Sequence, residues 1–396
     1  MTAGSPRRVL SLSSVEERSV YDALKKGQGG QAKSSDATCA SLDAASAARI
    51  TMAIALLIFA YESFAYNVIF LVRVLPAVGR GALMIPFAVL FNGFWGMAFW
   101  SYIQAHAQDP GTTPELWREF VESVGDSLPI VAAKPEWQPG MATFCRKCRI
   151  PRPERAHHCS VCNICILRMD HHCPWINNCV GFYNQKSFLL TAMYVFLTCL
   201  VALFTAIPDI VNCVVALTFT EDGFAWKAKG LRTSDVLVFL IFGVVTLFVA
   251  VLLAQLLSIH LFLAAKNLTS IEDCYENMPN PFDTGSVMSN LSQVFGAPGA
   301  DWLVPIRPHK PTSDGVSFVS PDVERIALAS NLLEVTEKDD ELDRQRLWRL
   351  RYRVRPPQAE AEDPYAGEPW SPLMTGLWGG CTASKGKKAM LQQMYQ

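Results

Sequence analysis

The first 46 residues of this 396-residue chain hold no apolar run. Ser, Ala, Gly and charged side chains fill them, which predicts a disordered N-terminal arm and no cleaved signal peptide. Net charge is lacking as well. Thirty-five basic side chains against 36 acidic ones leave −1, so overall charge selects no class of partner. No repeat runs through the chain outside one cysteine-rich stretch. Acidic residues are almost missing from four long apolar segments, residues 50–72, 83–105, 187–206 and 236–263; Glu62 is the one exception. A soluble fold does not explain four such segments, because buried core helices are usually shorter. Each is long enough to cross a hydrocarbon layer of ~30 Å.

The connectors support that reading. Residues 73–82 are few and include Pro76 and Gly79, so segments one and two form a helical hairpin. Asp109-Pro110-Gly111 stops the second helix. Pro208-Asp209 predicts a break or kink near the far end of the third. Glu62 is expected to meet a polar neighbour or the membrane interface. Lys and Arg are distributed unevenly: seven in the arm, nine in residues 106–186 and fourteen from Lys266 onward, against two and three in the other two connectors. Thirty of 35 therefore lie on one side, which predicts that both termini and the central loop are cytoplasmic. Reduced thiols persist in that compartment.

The thiols are concentrated in residues 145–186, which hold seven of the twelve cysteines and four of the seven histidines. Cys145/Cys148, Cys159/Cys162 and Cys162/Cys165 have the spacing that lets two thiolates reach one metal from a tight turn. Thiolate and imidazole together favour tetrahedral zinc. Eleven candidate ligands exist: Cys145, Cys148, Cys159, Cys162, Cys165, Cys173, Cys179, His157, His158, His171 and His172. Two closed sites use eight, so three are spare. Asp170-His171-His172-Cys173 suggests a use for the remainder, because a histidine held by a carboxylate can take the proton of a thiol. The alternative is that Cys173 is a further metal thiolate and Asp170 merely orients a ligand.

This tetrapeptide, its cysteine-rich setting and the following Pro174-Trp175-Ile176-Asn177-Asn178-Cys179-Val180-Gly181 resemble the Asp-His-His-Cys (DHHC) family of protein S-acyltransferases. The match runs without a gap through residues 145–184. Asp109-Pro110-Gly111 fits the family. So does Thr269-Ser270-Ile271-Glu272, with Ser270 where the family has threonine. Gly285, Asn290, Phe295-Gly296 and Trp302 match its C-terminal motif in part. The resemblance implies one zinc on Cys145, Cys148, His158 and Cys165, and another on Cys159, Cys162, His172 and Cys179. It implies Cys173 as nucleophile, His171 as its base and Asp170 as the orienter of His171. Palmitoyl-CoA is the implied co-substrate, and membrane-associated proteins with free cysteines are the implied acceptors. Arg152, Arg155, His157 and Trp175 are the expected CoA contacts, since arginine pairs well with phosphate oxygens.

The expected fold is an all-α polytopic membrane protein: an arm (1–49), two spans (50–105), a loop carrying the zinc module (106–186), two spans (187–263), C-terminal motifs (264–310) and a variable tail (311–396). The module is expected to be loop-rich with little regular structure. Residues 322–342 suggest a helix of mixed charge. Residues 344–355 hold six arginines among apolar residues, which suggests docking on an anionic leaflet or a solvated charged segment such as a strand edge. Nucleic acid is not expected as a partner. The expected location is the Golgi, endoplasmic reticulum or plasma membrane. The competing reading is a membrane-anchored zinc scaffold without catalysis.

Overall fold

A computed structural model describes residues 35–219, 230–308, 310–318 and 340–354. Four of its helices are long and apolar enough to cross a membrane. Helix α1, Ser35–Phe64, passes without a break into a π-helical stretch, Ala65–Val74. Helix α2 is Met84–Ala107. Helix α4, Gln185–Phe219, and helix α5, Thr233–Ala265, follow the central module. Two expectations change here. The helix reaches back to Ser35, into the arm that was expected to be disordered; residues 1–34 lie outside the described part. Pro208 makes no break in the third span, because the helix continues through it.

The membrane helices bury aromatic and aliphatic side chains against one another. Tyr66 stacks on Phe91 with ring centroids 3.8 Å apart, and Phe70 stacks on Phe239 at 5.4 Å. Glu62 is buried and accepts a hydrogen bond from the Thr246 hydroxyl at 2.8 Å, so it has the polar neighbour expected of it. At the end remote from the module, Arg73 pairs with Asp235 and Arg80 with Asp209, at 2.5 and 2.6 Å. These pairs tie the first connector to α5 and α4.

Helix α2 stops where the sequence predicts. The Asp109 carboxylate accepts the N–H groups of Gly111 and Thr112 and the Thr112 hydroxyl. Gly111 has φ +113°, a conformation that side chains disfavour. A Cβ on Gly181 would lie 2.5 Å from the Pro110 carbonyl, so backbone meets backbone there. Helix α3, Glu115–Val124, then lays Trp117 and Phe120 into the core of the module.

The module has more regular structure than expected, and the fold is not purely helical. Strands β1, Ile130–Val131, β2, Ala142–Cys145, and β3, Ile150–Arg152, form one small sheet. Strand β4, His157–Cys159, pairs with β5, Ile164–Ile166, and β6, His171–Cys173, pairs with β7, Asn178–Val180. Strands of two to four residues follow no long apolar period, so sequence pattern does not reveal them.

After α5, the short helix α6, Val287–Phe295, packs back on the spans. Asn290 bonds the Ala265 carbonyl and the Asp283 carboxylate, at 2.9 and 2.7 Å. Helix α7, Asp340–Arg351, corrects the reading of the arginine-rich tail. That segment is helical, so it is not a strand edge. Trp348 and Tyr352 are fully buried against Trp117, and Arg351 pairs with Glu154 at 2.6 Å. Most of the segment 322–342, and the end of the tail, lie outside the described residues.

Candidate active site and metal centres

Three hairpins repeat one local design at a spacing of 14 residues. Cys145, Cys159 and Cys173 begin the three turns. The residue four places on, Arg149, Asn163 or Asn177, has φ of 56°, 57° or 47°. In the first two turns a second cysteine follows, and its N–H points at the first sulfur: Cys148 to Cys145 at 3.4 Å, and Cys162 to Cys159 at 3.3 Å. In the third turn Ile176 stands where Cys148 and Cys162 stand. That turn has one thiol only. The period is visible in the sequence as Cys145, Cys159 and Cys173.

Strand geometry explains how the ligands interleave. Neighbouring residues on a strand point to opposite faces. His158 and Cys159 on β4 therefore serve different sites. Cys145, Cys148, His158 and Cys165 converge in one group, and Cys159, Cys162, His172 and Cys179 in another; in each, the donor atoms lie within 4.8 Å of one another. Zinc–sulfur and zinc–nitrogen bonds of about 2.3 and 2.0 Å in a tetrahedron put ligand atoms roughly 3.5–3.8 Å apart. Cys148 Sγ and Cys165 Sγ are 3.7 Å apart, Cys162 Sγ and Cys179 Sγ 3.6 Å, and Cys179 Sγ and His172 Nδ1 3.6 Å. Both groups fit a tetrahedral ion. None of the ten described cysteines is in a disulfide.

The same alternation separates the adjacent histidines of β6. His172 faces a metal group. His171 and Cys173, two residues apart, share the other face. His171 Nδ1 lies 2.5 Å from Asp170 Oδ2. Asp170 is buried and also accepts the Ser270 N–H at 2.8 Å and the Ser270 hydroxyl at 3.0 Å. Serine therefore keeps the contact that a threonine hydroxyl would make. Burial alone would raise the Asp170 carboxyl, but these hydrogen bonds and the His171 charge hold it below its usual range. Burial opposes the charge on His171, and Asp170 and Cys173 outweigh it, pushing the imidazole up to about 9. Burial would likewise raise the Cys173 thiol, but the hydrogen bond and charge of His171, with the N–H groups of Ile176 and Trp175, hold it down. The arrangement favours a thiolate beside an imidazolium.

One neighbour was missed from sequence. His260 on α5 places Nδ1 3.8 Å from Asp170 Oδ2, and its ring lies 5.5 Å from that of His171. An ionisable side chain inside an apolar span was the available signal.

Membrane helices hold the turn after Cys173. The Thr51 hydroxyl donates to the Pro174 carbonyl at 2.7 Å, and the Tyr102 hydroxyl to the Trp175 carbonyl at 2.9 Å. His106 Nδ1 is 2.7 Å from the Ile176 carbonyl. The thiol thus sits where the module meets α1 and α2. Trp175 is about half exposed beside it.

The expected CoA contacts do not all come together. Arg152, Arg155 and His157 line one hollow on the module, with Lys134, and Trp175 is not part of it. Arg155 is not the free cation that the sequence suggested. Its Nε and Nη2 each lie 2.7 Å from Glu272, and the rings of Phe282 and Phe318 flank it. Burial and the charge of Arg152 push His157 down to about 4, so it is neutral at pH 7.

A thiol beside a carboxylate–histidine pair, on a module with two groups that fit metal ions and seated on four apolar helices, suits a membrane enzyme. The comparisons make this specific. A family model described as DHHC palmitoyltransferase matches residues 139–277. A probable protein S-acyltransferase 13 of Arabidopsis thaliana is 32% identical over 280 residues, covering 67% of this chain and 89% of the relative. A palmitoyltransferase ZDHHC15A of Danio rerio is 31% identical over 259 residues, 59% and 74% of the two chains. A palmitoyltransferase ZDHHC20 of Bos taurus is 32% identical over 284 residues, 65% and 73%. The chain belongs to the DHHC palmitoyltransferase family and is an acyltransferase. The reading as a scaffold without catalysis is set aside.

Proposed function

We propose that the chain transfers a long-chain acyl group, palmitoyl, from acyl-CoA to cysteines of membrane-associated proteins through a thioester on Cys173. His171 takes the thiol proton while Asp170 fixes its ring. The Cys173 sulfur attacks the thioester carbonyl carbon, the bond from that carbon to the CoA sulfur breaks, and CoA leaves as the thiol with the proton from His171. An acceptor thiolate then attacks the acyl-enzyme and releases Cys173. Two zinc ions, on Cys145, Cys148, His158 and Cys165 and on Cys159, Cys162, His172 and Cys179, would brace the module and fix the strand that carries the thiol. A CoA phosphate meets Arg152, with Arg155 and His157 behind it, and Trp175 lies along the CoA arm near the thiol. The module and both termini face the cytosol of a Golgi, endoplasmic reticulum or plasma membrane.

The observation that carries this reading is the third turn. It repeats the metal-binding design without a second thiol, and its one sulfur faces a histidine–carboxylate pair at the membrane end of the module. Purified protein incubated with labelled palmitoyl-CoA should acquire a hydroxylamine-labile label that Cys173→Ser abolishes. Label that survives Cys173→Ser would show that another residue carries the acyl group.

A further inference from the structure

Helix α7 lies against the hollow assigned above to CoA, and the inference rests on that assignment. Six charged side chains line the hollow: Lys134, Arg152 and Arg155 against Glu136, Glu154 and Glu272. Alone they cancel, and a balanced hollow attracts phosphate poorly. Two pairs are internal. Lys134 Nζ lies 3.3 Å from Glu136 Oε1, and Arg155 Nε lies 2.7 Å from Glu272 Oε1. That leaves Glu154 to offset Arg152. Its carboxylate is held from outside the hollow instead. Arg351 of α7 places Nε 2.6 Å from Oε1 and Nη2 2.8 Å from Oε2, and the Gly140 N–H donates to Oε2 at 2.8 Å. Arg152 donates to a neutral oxygen, Thr143 Oγ1, at 2.7 Å, and among the described residues it forms no ion pair.

The contact is built rather than incidental. Arg351 and Glu154 are both buried. The Tyr352 hydroxyl accepts the Glu154 N–H at 3.0 Å and donates to the Val316 carbonyl at 2.9 Å. Trp348 donates through Nε1 to Asp314 at 2.6 Å. We propose that Arg351 is a positioning residue for the coenzyme: by neutralising Glu154 it leaves Arg152 as the uncompensated cation that receives a CoA phosphate. The tail helix thereby completes the charge of a site whose other members come from the module.

The test is the affinity of the purified full-length chain for a thioether analogue of palmitoyl-CoA, which binds without reacting. Arg351→Gln should weaken binding on the order of tenfold at low salt, with both metal ions retained. Arg351→Lys should keep most of the affinity. Arg351→Gln combined with Glu154→Gln should return it to within about twofold, because the carboxylate that cancels Arg152 is then gone. A purely structural contact predicts the opposite, since the double variant loses the pair entirely. Unchanged affinity in Arg351→Gln, a double variant as weak as the single one, or no binding by the unaltered chain each overturns the proposal. Acyl-enzyme formation by the unaltered chain tests the transferase reading separately.

Discussion

At the scale of single residues, the site depends on which face of a three-residue strand each side chain takes. His171 and His172 are neighbours in sequence and should fail differently. His172→Ala should lose metal and unfold the module, because a structural ion contributes directly to folding. His171→Ala should keep two zinc ions and form the acyl-enzyme far more slowly at pH 7. Its rate should rise with pH, since an unassisted thiol titrates near about 8.5 and hydroxide then replaces the missing base. The sign follows from the directions given above: in the unaltered protein the thiol is held down and the histidine up, so its rate changes less over the same range. Stopped reactions with labelled acyl-CoA across a pH series measure both. Metal analysis supplies the companion prediction. Cys173→Ser should retain two zinc ions per chain, and Cys162→Ser should lose at least one.

At the scale of elements, the metal-ligand cluster was legible because its cysteines and histidines lie close in sequence, and the family resemblance sorted them into two groups. The spans were legible from length and lack of charge. Helix α7 was not. From Arg349 onward arginines alternate with apolar residues, which reads as a strand, whereas Trp348 and Tyr352 are four apart and share a helix face. Glu154, the partner of Arg351, lies 197 residues away, and no local pattern announces a contact of that range. The short strands escaped for the opposite reason, being shorter than any period that could reveal them. Trp348 is fully buried in the module core, so Trp348→Ala should destabilise the module by about 3–5 kcal/mol. A lowered melting temperature, with zinc content unchanged in the native protein, would show it. Tyr102→Phe removes one hydrogen bond from the turn that follows Cys173. It should slow acyl-enzyme formation a few-fold without loss of metal, and a rate equal to that of the unaltered protein would mean that the turn holds without it.

At the scale of the whole molecule, four helices long and apolar enough to cross a membrane predict both termini on one side. Tags at residues 1 and 396 should be cleaved by protease from the same face of sealed vesicles; tags on opposite faces would require an odd number of spans. The bonds from Thr51, Tyr102 and His106 to the turn after Cys173 have a consequence for substrates. They tie the turn beside the thiol directly to α1 and to the last turns of α2, so the proposed transfer would take place at one level set by those helices. On that proposal, moving the cysteine of one acceptor a few residues outward from its membrane anchor should abolish its acylation, while scrambling its neighbours should not.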